Sequence, residues 1–217
     1  MGKEVPERLS RNIRIKRFLD LFLALPICLA LAPLGLSIVA AIVVDSLAMG
    51  ERPSILVSER RLSAGRRFLL LKFRVFRMRA WKEHIATRPD ISVKAIEREA
   101  GNLTLVGGIM KRLYLDELPQ FLNILRGDMS LVGPRPYFEA DWSKEKRLDI
   151  PARRLLPAGL VGPYQAVKGT VSGLDAVNAL DSAYLDHLTS ATVAGVLRRD
   201  FALMARSVKT VLEARGL

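Results

Sequence analysis

The longest apolar stretch of the chain runs from Leu21 to Val44, 24 residues without a charge. As a straight helix it would reach roughly 36 Å, enough for a hydrocarbon core of about 30 Å. Pro26 and Pro33 interrupt it, and Pro33, followed by Gly35, falls near its middle. An interior proline removes a backbone donor and kinks or breaks a helix. Two half-helices are therefore expected, each too short to cross a bilayer alone. Downstream, "SILVSERRLSAGRRFLLLKFRVFRM" (54–78) sets β-branched and aromatic residues on both sides of Ala64-Gly65, which predicts two short strands around a tight turn. Residues 79–103 are polar and mixed in charge and read as a loop or short helices. "LDELPQFLNILRGDMSLVGPRP" (115–136) opens on carboxylates, continues as a short apolar helix ended by Gly127, and passes into a turn rich in Gly and Pro. Pro151 and Pro157 punctuate a connector, and "AGLVGPYQAVKG" (158–169) is a turn-rich loop. In residues 191–215, apolar positions such as Val193, Val196, Leu197, Phe201, Met204 and Val208 recur at helical spacing, with Arg198, Arg199, Arg206, Lys209 and Arg215 elsewhere around the helix. That pattern fits a packing helix and equally an amphipathic interfacial helix on anionic lipid.

Charge changes the picture at the apolar run. Arg8, Arg11, Arg14, Lys16 and Arg17 precede it, and Arg52, Arg60, Arg61, Arg66 and Arg67 follow it. Positive residues mark the cytoplasmic side of a membrane. A spanning helix strands one cluster outside, whereas a re-entrant helix that dips in and returns keeps both in the cytoplasm. A kinked span and a buried core helix remain open on the residues alone, with re-entry favoured. A cleavable signal peptide fits less well, because the run is long for one and "VVDSLAMGERP" makes a poor cleavage site. The chain thus divides into residues 1–45, a basic N-terminus with a helix–break–helix in the membrane, and residues 46–217, a cytoplasmic, membrane-associated part. The fold class expected is α/β with mainly helical content and a small β-hairpin.

The 217 residues carry a formal charge of +12, with half of them hydrophobic. That pairing invites a membrane surface, a nucleic acid or an anionic substrate. One cysteine, Cys28, and two histidines, His84 and His187, exclude an intrachain disulfide framework and a cysteine- or histidine-rich zinc site.

Candidate chemistry lies in the 115–136 stretch. Asp116 can serve as a helix N-cap, with Pro119 tolerated in the first turn, but this leaves Glu117 and Arg135 unaccounted for. Alternatively, two adjacent carboxylates suit a hard cation such as Mg²⁺, with one of them free to attack phosphorus. In "GPRP", Pro134 and Pro136 restrict the backbone on both sides of Arg135, which presents its guanidinium to phosphate oxygens preorganised, or makes a surface salt bridge in a turn. In "LKFR" (71–74), Lys72 and Arg74 share one face of a strand. Two cations there suit a diphosphate; a solvated strand face accounts for them equally.

With "KRFLD" (16–20), "SERRLSAGRRFLLLKFR" (58–74), "LDELPQFLNILRGDMSLVGPRP" and "GLVGPYQ" (159–165), nearly the whole chain resembles the bacterial sugar transferases, the monotopic phosphoglycosyl transferases that start glycan assembly on a polyprenyl phosphate carrier. The resemblance implies a re-entrant membrane helix broken at Pro33, an Asp116–Glu117 dyad with Mg²⁺, and phosphate contacts from Lys72, Arg74, Arg112 and Arg135. It implies a UDP-sugar donor, a covalent phosphosugar on the aspartate, release of UMP, and transfer to polyprenyl (undecaprenyl) phosphate at the cytoplasmic face of the bacterial inner membrane. Later glycosyltransferases of an exopolysaccharide, O-antigen or glycoprotein pathway would take the product. The length fits the small, catalytic-core form of the family. Ala32 stands where a serine commonly precedes the helix-breaking proline, Val75 and Phe76 replace the commoner Thr-Met, Tyr114 replaces a small hydroxyl residue, and Leu105 and Gly108 occupy positions that are usually basic.

Two other classes compete. A non-catalytic membrane scaffold has little use for both carboxylates and the GPRP arginine. A nucleic-acid binder explains the charge, but no zinc-finger or RNP-type motif is present, so no nucleic acid is expected as a partner.

Overall fold

The computed structural model describes residues 6–87, 94–99, 101–138, 151–167 and 173–212. The middle of the 79–103 segment, Lys168 and Gly169 of the turn-rich loop, and Arg215 of the tail lie outside these residues. In chain order the elements are α1 (Glu7–Ala48), β1 (Leu56–Ser63), β2 (Arg66–Phe73), α2 (Met78–Thr87), α3 (Lys94–Arg98), α4 (Leu105–Arg112), a 3-10 turn (Leu115–Glu117), α5 (Gln120–Arg126), β3 (Met129–Val132), β4 (Tyr137–Phe138), α6 (Pro151–Leu155), β5 (Ala158–Val161), a second 3-10 turn (Gln165–Val167), α7 (Leu174–Ser190) and α8 (Val193–Leu212). The chain is mainly helical with small sheets: one ordered β2-β1-β4, the other a parallel β3-β5 pair.

Helical backbone in α1 carries through both Pro26 and Pro33, so the helix does not end at the proline where the sequence places a break. Ser37 Oγ donates to the Pro33 carbonyl at 3.0 Å. This is a helix long and apolar enough to cross a membrane, and only 11% of its most apolar window is buried in the protein. Phe18, Phe22, Leu29 and Leu36 are each more than two-thirds exposed. A contiguous apolar surface of this kind needs a cover other than water, and the chain is membrane-associated through this helix.

The hairpin is formed as expected. Ala64 and Gly65 have φ of 47° and 72°, the paired left-handed residues that a two-residue turn of the primed type requires.

The chain packs as two compact units, each discontinuous in sequence. One contains the start of α1, the hairpin tip and residues 124–217. Here "KRFLD" is a set of ties. Lys16 Nζ donates to the Tyr184 hydroxyl at 2.9 Å and to the Asp200 carboxylate, and Tyr184 donates to Asp200 at 2.6 Å, all three being buried. Arg17 donates to the carbonyls of Ile124 and Leu125, at the end of α5. Asp20 accepts from Ser130 Oγ at 3.0 Å and from Leu131 N–H at 2.8 Å. The GPRP and GLVG stretches meet here: β3 pairs with β5 (Ser130 opposite Gly159), Gly133 N–H donates to Val161 and Gly159 N–H to Pro134. A Cβ at Gly159 would sit 2.1 Å from the Gly133 nitrogen, so only glycine permits this approach.

In α8 the buried positions are Val196, Asp200, Leu203 and Ser207. This one-sided stripe packs inward, as a core helix does, while Phe201 and Val208 stay half-exposed or more. The apolar spacing read from sequence therefore splits between two faces of the helix.

The other unit holds residues 26–60 and 69–123. Its core joins Ile38 and Ile42 of α1 to Val57, Phe73, Val75, Phe76, Ile96 and Met110. The candidate dyad lies in this unit.

Candidate active site

The approach to the dyad is fixed by α4. Thr104 caps it, its Oγ accepting from Gly107 N–H at 2.9 Å while its own N–H donates to the Val75 carbonyl at 3.0 Å. A Cβ at Gly107 would lie 1.8 Å from that carbonyl, so α4 starts in direct backbone contact with the segment that follows β2. It ends at Arg112, after which Tyr114 adopts φ 57°. A left-handed non-glycine is strained by about 1–2 kcal/mol, and such strain gathers at functional sites. The next three residues, Leu115–Glu117, form the 3-10 turn that carries Asp116 and Glu117.

Asp116 is not the N-cap of α5, because the turn intervenes and α5 begins only at Gln120. Its side chain is 6% exposed, and among the described residues no donor hydrogen-bonds its carboxylate. Burial pushes that carboxyl up to about 7, and the Glu117 charge adds to the rise. Lys72 opposes it, Glu97 reinforces it and Lys111 opposes it. A buried carboxylate denied hydrogen bonds and set beside a second negative charge is a poor structural residue and an available nucleophile.

Lys72 and Arg74 are neither solvated nor equivalent. Lys72, 6% exposed, stands 3.7 Å from Glu59. Burial works to lower its pKa, but Glu59, then Glu117, Glu97 and Asp116, outweigh this and leave it raised, so it stays an ammonium. Arg74, 1% exposed, lies just past the end of β2. Its guanidinium donates to Ser54 O at 2.8 Å, to Ser46 Oγ at 2.5 Å and to Phe76 O, with Glu51 at 3.7 Å. These bonds join the end of α1 to the chain leaving β2. Arg112 is exposed at the end of α4. Arg135 belongs to the other unit, half-buried on the wall of a small cavity it shares with Tyr137 and Arg153. Arg153 stacks 3.4 Å from the Tyr137 ring and donates to buried Asp181 at 2.9 Å.

Two side chains at the site escaped the sequence reading. Glu97 sits in a polar stretch that reads as solvent-facing, yet it is buried and paired with Lys111. Asn123 is fully buried; its Oδ1 accepts from Leu71 N–H at 3.0 Å and its Nδ2 donates to Leu69 O at 2.8 Å. It thus holds α5 to the strand that bears Lys72. An amide enclosed by the apolar run "FLNIL" was the available signal, since a buried amide must be bonded.

For a divalent cation, the donor set is short. Among the described residues no group of three or more His, Cys, Asp and Glu side chains could hold a metal. The Asp116–Glu117 pair still fits Mg²⁺, which keeps waters and binds through one or two carboxylates plus substrate phosphates. Its charge would also relieve the repulsion that raises Asp116.

Buried Asp116 with half-buried Glu117 beside it, the Lys72 strand and the second part of the apolar helix belong to one unit, a candidate phosphotransferase site in a membrane-associated chain. Residues 11–214 match the family described as bacterial sugar transferase. The chain is 33% identical over 210 residues to the UDP-glucose:undecaprenyl-phosphate glucose-1-phosphate transferase of Caulobacter vibrioides, covering 94% of this chain and 72% of that one. It is 29% identical to the exopolysaccharide production protein ExoY of Sinorhizobium fredii, over 93% and 87% of the two chains. It is also 29% identical to the undecaprenyl-phosphate galactose phosphotransferase of Salmonella typhimurium, over 93% of this chain but 41% of that longer one. The chain belongs to the bacterial sugar transferase family and is a phosphoglycosyl transferase.

Proposed function

We propose that the protein transfers a sugar 1-phosphate from a UDP-sugar to polyprenyl phosphate, releasing UMP, through a phosphosugar carried on Asp116. The observation that carries this reading is the Asp116 carboxylate, buried, unbonded among the described residues and flanked by Glu117 and Lys72 within the 115–136 stretch on which the family resemblance rests. The acceptor follows the names of the relatives, which specify undecaprenyl phosphate. Their sugars include glucose, galactose and N-acetylgalactosamine, so the sugar is left to experiment. Such a product would initiate exopolysaccharide or a related glycan, for later glycosyltransferases to extend.

In the first step an Asp116 oxygen attacks the sugar-bearing phosphorus. The P–O bond to UMP breaks and UMP leaves with its electron pair. In the second, a phosphate oxygen of the carrier attacks the same phosphorus, the acyl-phosphate bond breaks, and Asp116 is restored as carboxylate. Mg²⁺, held by Asp116 and Glu117 with the donor's phosphates, would neutralise the charge that repels the nucleophile. Lys72 supplies a fixed positive charge beside the dyad, Arg74 holds the chain next to it, and Arg112 and Arg135 contribute phosphate contacts. The helix α1 takes a re-entrant path, bending at Pro33 with its helical backbone kept, and brings the carrier to the cytoplasmic face.

The test is incubation of detergent-solubilised protein with a panel of UDP-sugars. UMP formed before any lipid is added, and a phosphosugar adduct on Asp116 by mass spectrometry, are expected from two separate steps. UMP release only after carrier binding would replace the covalent route with direct transfer in a ternary complex.

A further inference from the structure

Glu97 lies on α3, in the unit that holds the dyad, and its buried carboxylate accepts from Lys111 Nζ in the last turn of α4. Ile96 and Met110, each the sequence neighbour of one of the pair, are buried in one core, and this brings the two helices together. The two charges differ in setting: the Glu97 side chain is 3% exposed and that of Lys111 is 33% exposed. An ammonium has three donors; Glu97 takes one, and among the described residues no other acceptor is bonded to Lys111. Both charges reach the dyad, since Glu97 works to raise and Lys111 to lower the pKa of Asp116. Glu97 is not a third arm of a metal site, because among the described residues no three such side chains could hold an ion. Backbone makes the same connection. Tyr114 N–H donates to the Lys111 carbonyl at 3.2 Å, and Glu117 N–H to the Tyr114 carbonyl at 3.3 Å, so the dyad turn hangs from the residue that Glu97 holds.

We propose that Glu97 is a positioning residue, which fixes the Lys111 ammonium beside the dyad and leaves its remaining donors for the donor's diphosphate. The inference rests on the UDP-sugar reading above and adds which α4 cation meets the diphosphate and what holds it there. A buried ion pair adds little to stability over an apolar pair of the same shape, so joining α3 to α4 does not account for these charges. A lysine already held by a carboxylate gives up less rotamer freedom on meeting a phosphate than one free in solvent. Arg112, the other charged residue of α4, is exposed.

The test is the Kd of the detergent-solubilised full chain for UDP with Mg²⁺, by calorimetry, with the thermal midpoint of each variant beside it. Lys111→Met should raise that Kd about tenfold and Glu97→Gln about fivefold. The double variant should bind no more weakly than Lys111→Met alone, because Glu97 acts through Lys111. Glu97→Asp keeps the charge on a shorter arm and should fall between Glu97→Gln and the unaltered protein; it replaces Glu97→Gln in the cycle if that variant does not fold. Exchanging the charges, Glu97→Lys with Lys111→Glu, separates the role from a structural tie. A tie would recover UDP binding along with the midpoint, whereas the exchanged protein should bind UDP no better than Lys111→Met whatever its midpoint. Normal UDP binding by Glu97→Gln or by the exchanged pair, or a further loss from Glu97→Gln in the Lys111→Met background, overturns the role alone. No UDP binding by the unaltered protein would remove the UDP-sugar donor and this role together.

Discussion

Asp116 illustrates the conflict between a stable fold and a reactive one. Burial and the neighbouring Glu117 charge push its pKa in the folded protein up to about 7, from an ordinary carboxyl value of 3.8. Below pH 4 both folded and unfolded chains hold the proton and stability is unaffected. As pH rises from 4 to 7 the unfolded chain releases the proton first, and the folded state loses up to the order of 4 kcal/mol, fully by pH 8. Asp116→Asn should therefore be more stable than the unaltered protein at pH 8 in EDTA and indistinguishable from it near pH 4, while making no adduct. Thermal unfolding at the two pH values checks this; equal midpoints at pH 8 would refute it. Because attack requires the ionised form, the UMP burst should rise with pH through the neutral range, and saturating Mg²⁺ should move that rise to lower pH. At Arg135, ammonium cannot reproduce the guanidinium fork, so Arg135→Lys should lose most of the activity that Arg135→Ala loses. Near-normal UMP release from both would make it a turn residue. The Asp116–Glu117 pair stands out in sequence because a helix cap would account for one acid and leave the other; the burial of Asp116 in a 3-10 turn was not legible there. Nor was the burial of Glu97, since nothing local distinguishes an acid facing solvent from one turned inward to meet Lys111.

At the level of elements, the hairpin was the most readable, because Ala64-Gly65 and its flanking residues specify both strands and turn. The α8 pattern was half readable. Apolar spacing gave a helix, but Asp200 and Ser207 occupy its buried stripe in place of apolar residues. The long-range partners Lys16 and Tyr184 make an aspartate acceptable there. For α4, adjacent glycines have opposite roles. Gly107→Ala should force α4 off the Val75 carbonyl, destabilising the protein by several kcal/mol and disturbing the Tyr114–Glu117 turn. Gly108→Ala, with open space around its Cβ, should be neutral or stabilise by up to about 1 kcal/mol. Unfolding and UMP release measured side by side separate the two; similar losses in both would mean that α4 does not rest on that carbonyl.

For the whole molecule, the question is the path of α1. Basic clusters on both sides of the apolar run favour a single cytoplasmic side for both flanks. In a Cys28→Ser background, Arg8→Cys and Arg60→Cys should each resist a membrane-impermeant maleimide in intact cells and react after lysis. External labelling of either one establishes a true span. Helical backbone through Pro33 was not foreseen, because proline's effect on a helix depends on what replaces the lost hydrogen bond, and hydropathy carries no such information.

The ties at the start of α1 also bear on how the protein is made. Lys16 meets Tyr184 and Asp200 across 168 and 184 residues of chain. During synthesis the greasy helix emerges well before Tyr184 and Asp200, and its lysine stays unpartnered until they have been translated. Contacts so distant in sequence close late. The ribosome therefore hands the membrane a helix whose own anchor in the folded protein does not yet exist, and insertion must precede or wait upon completion of the C-terminal helices.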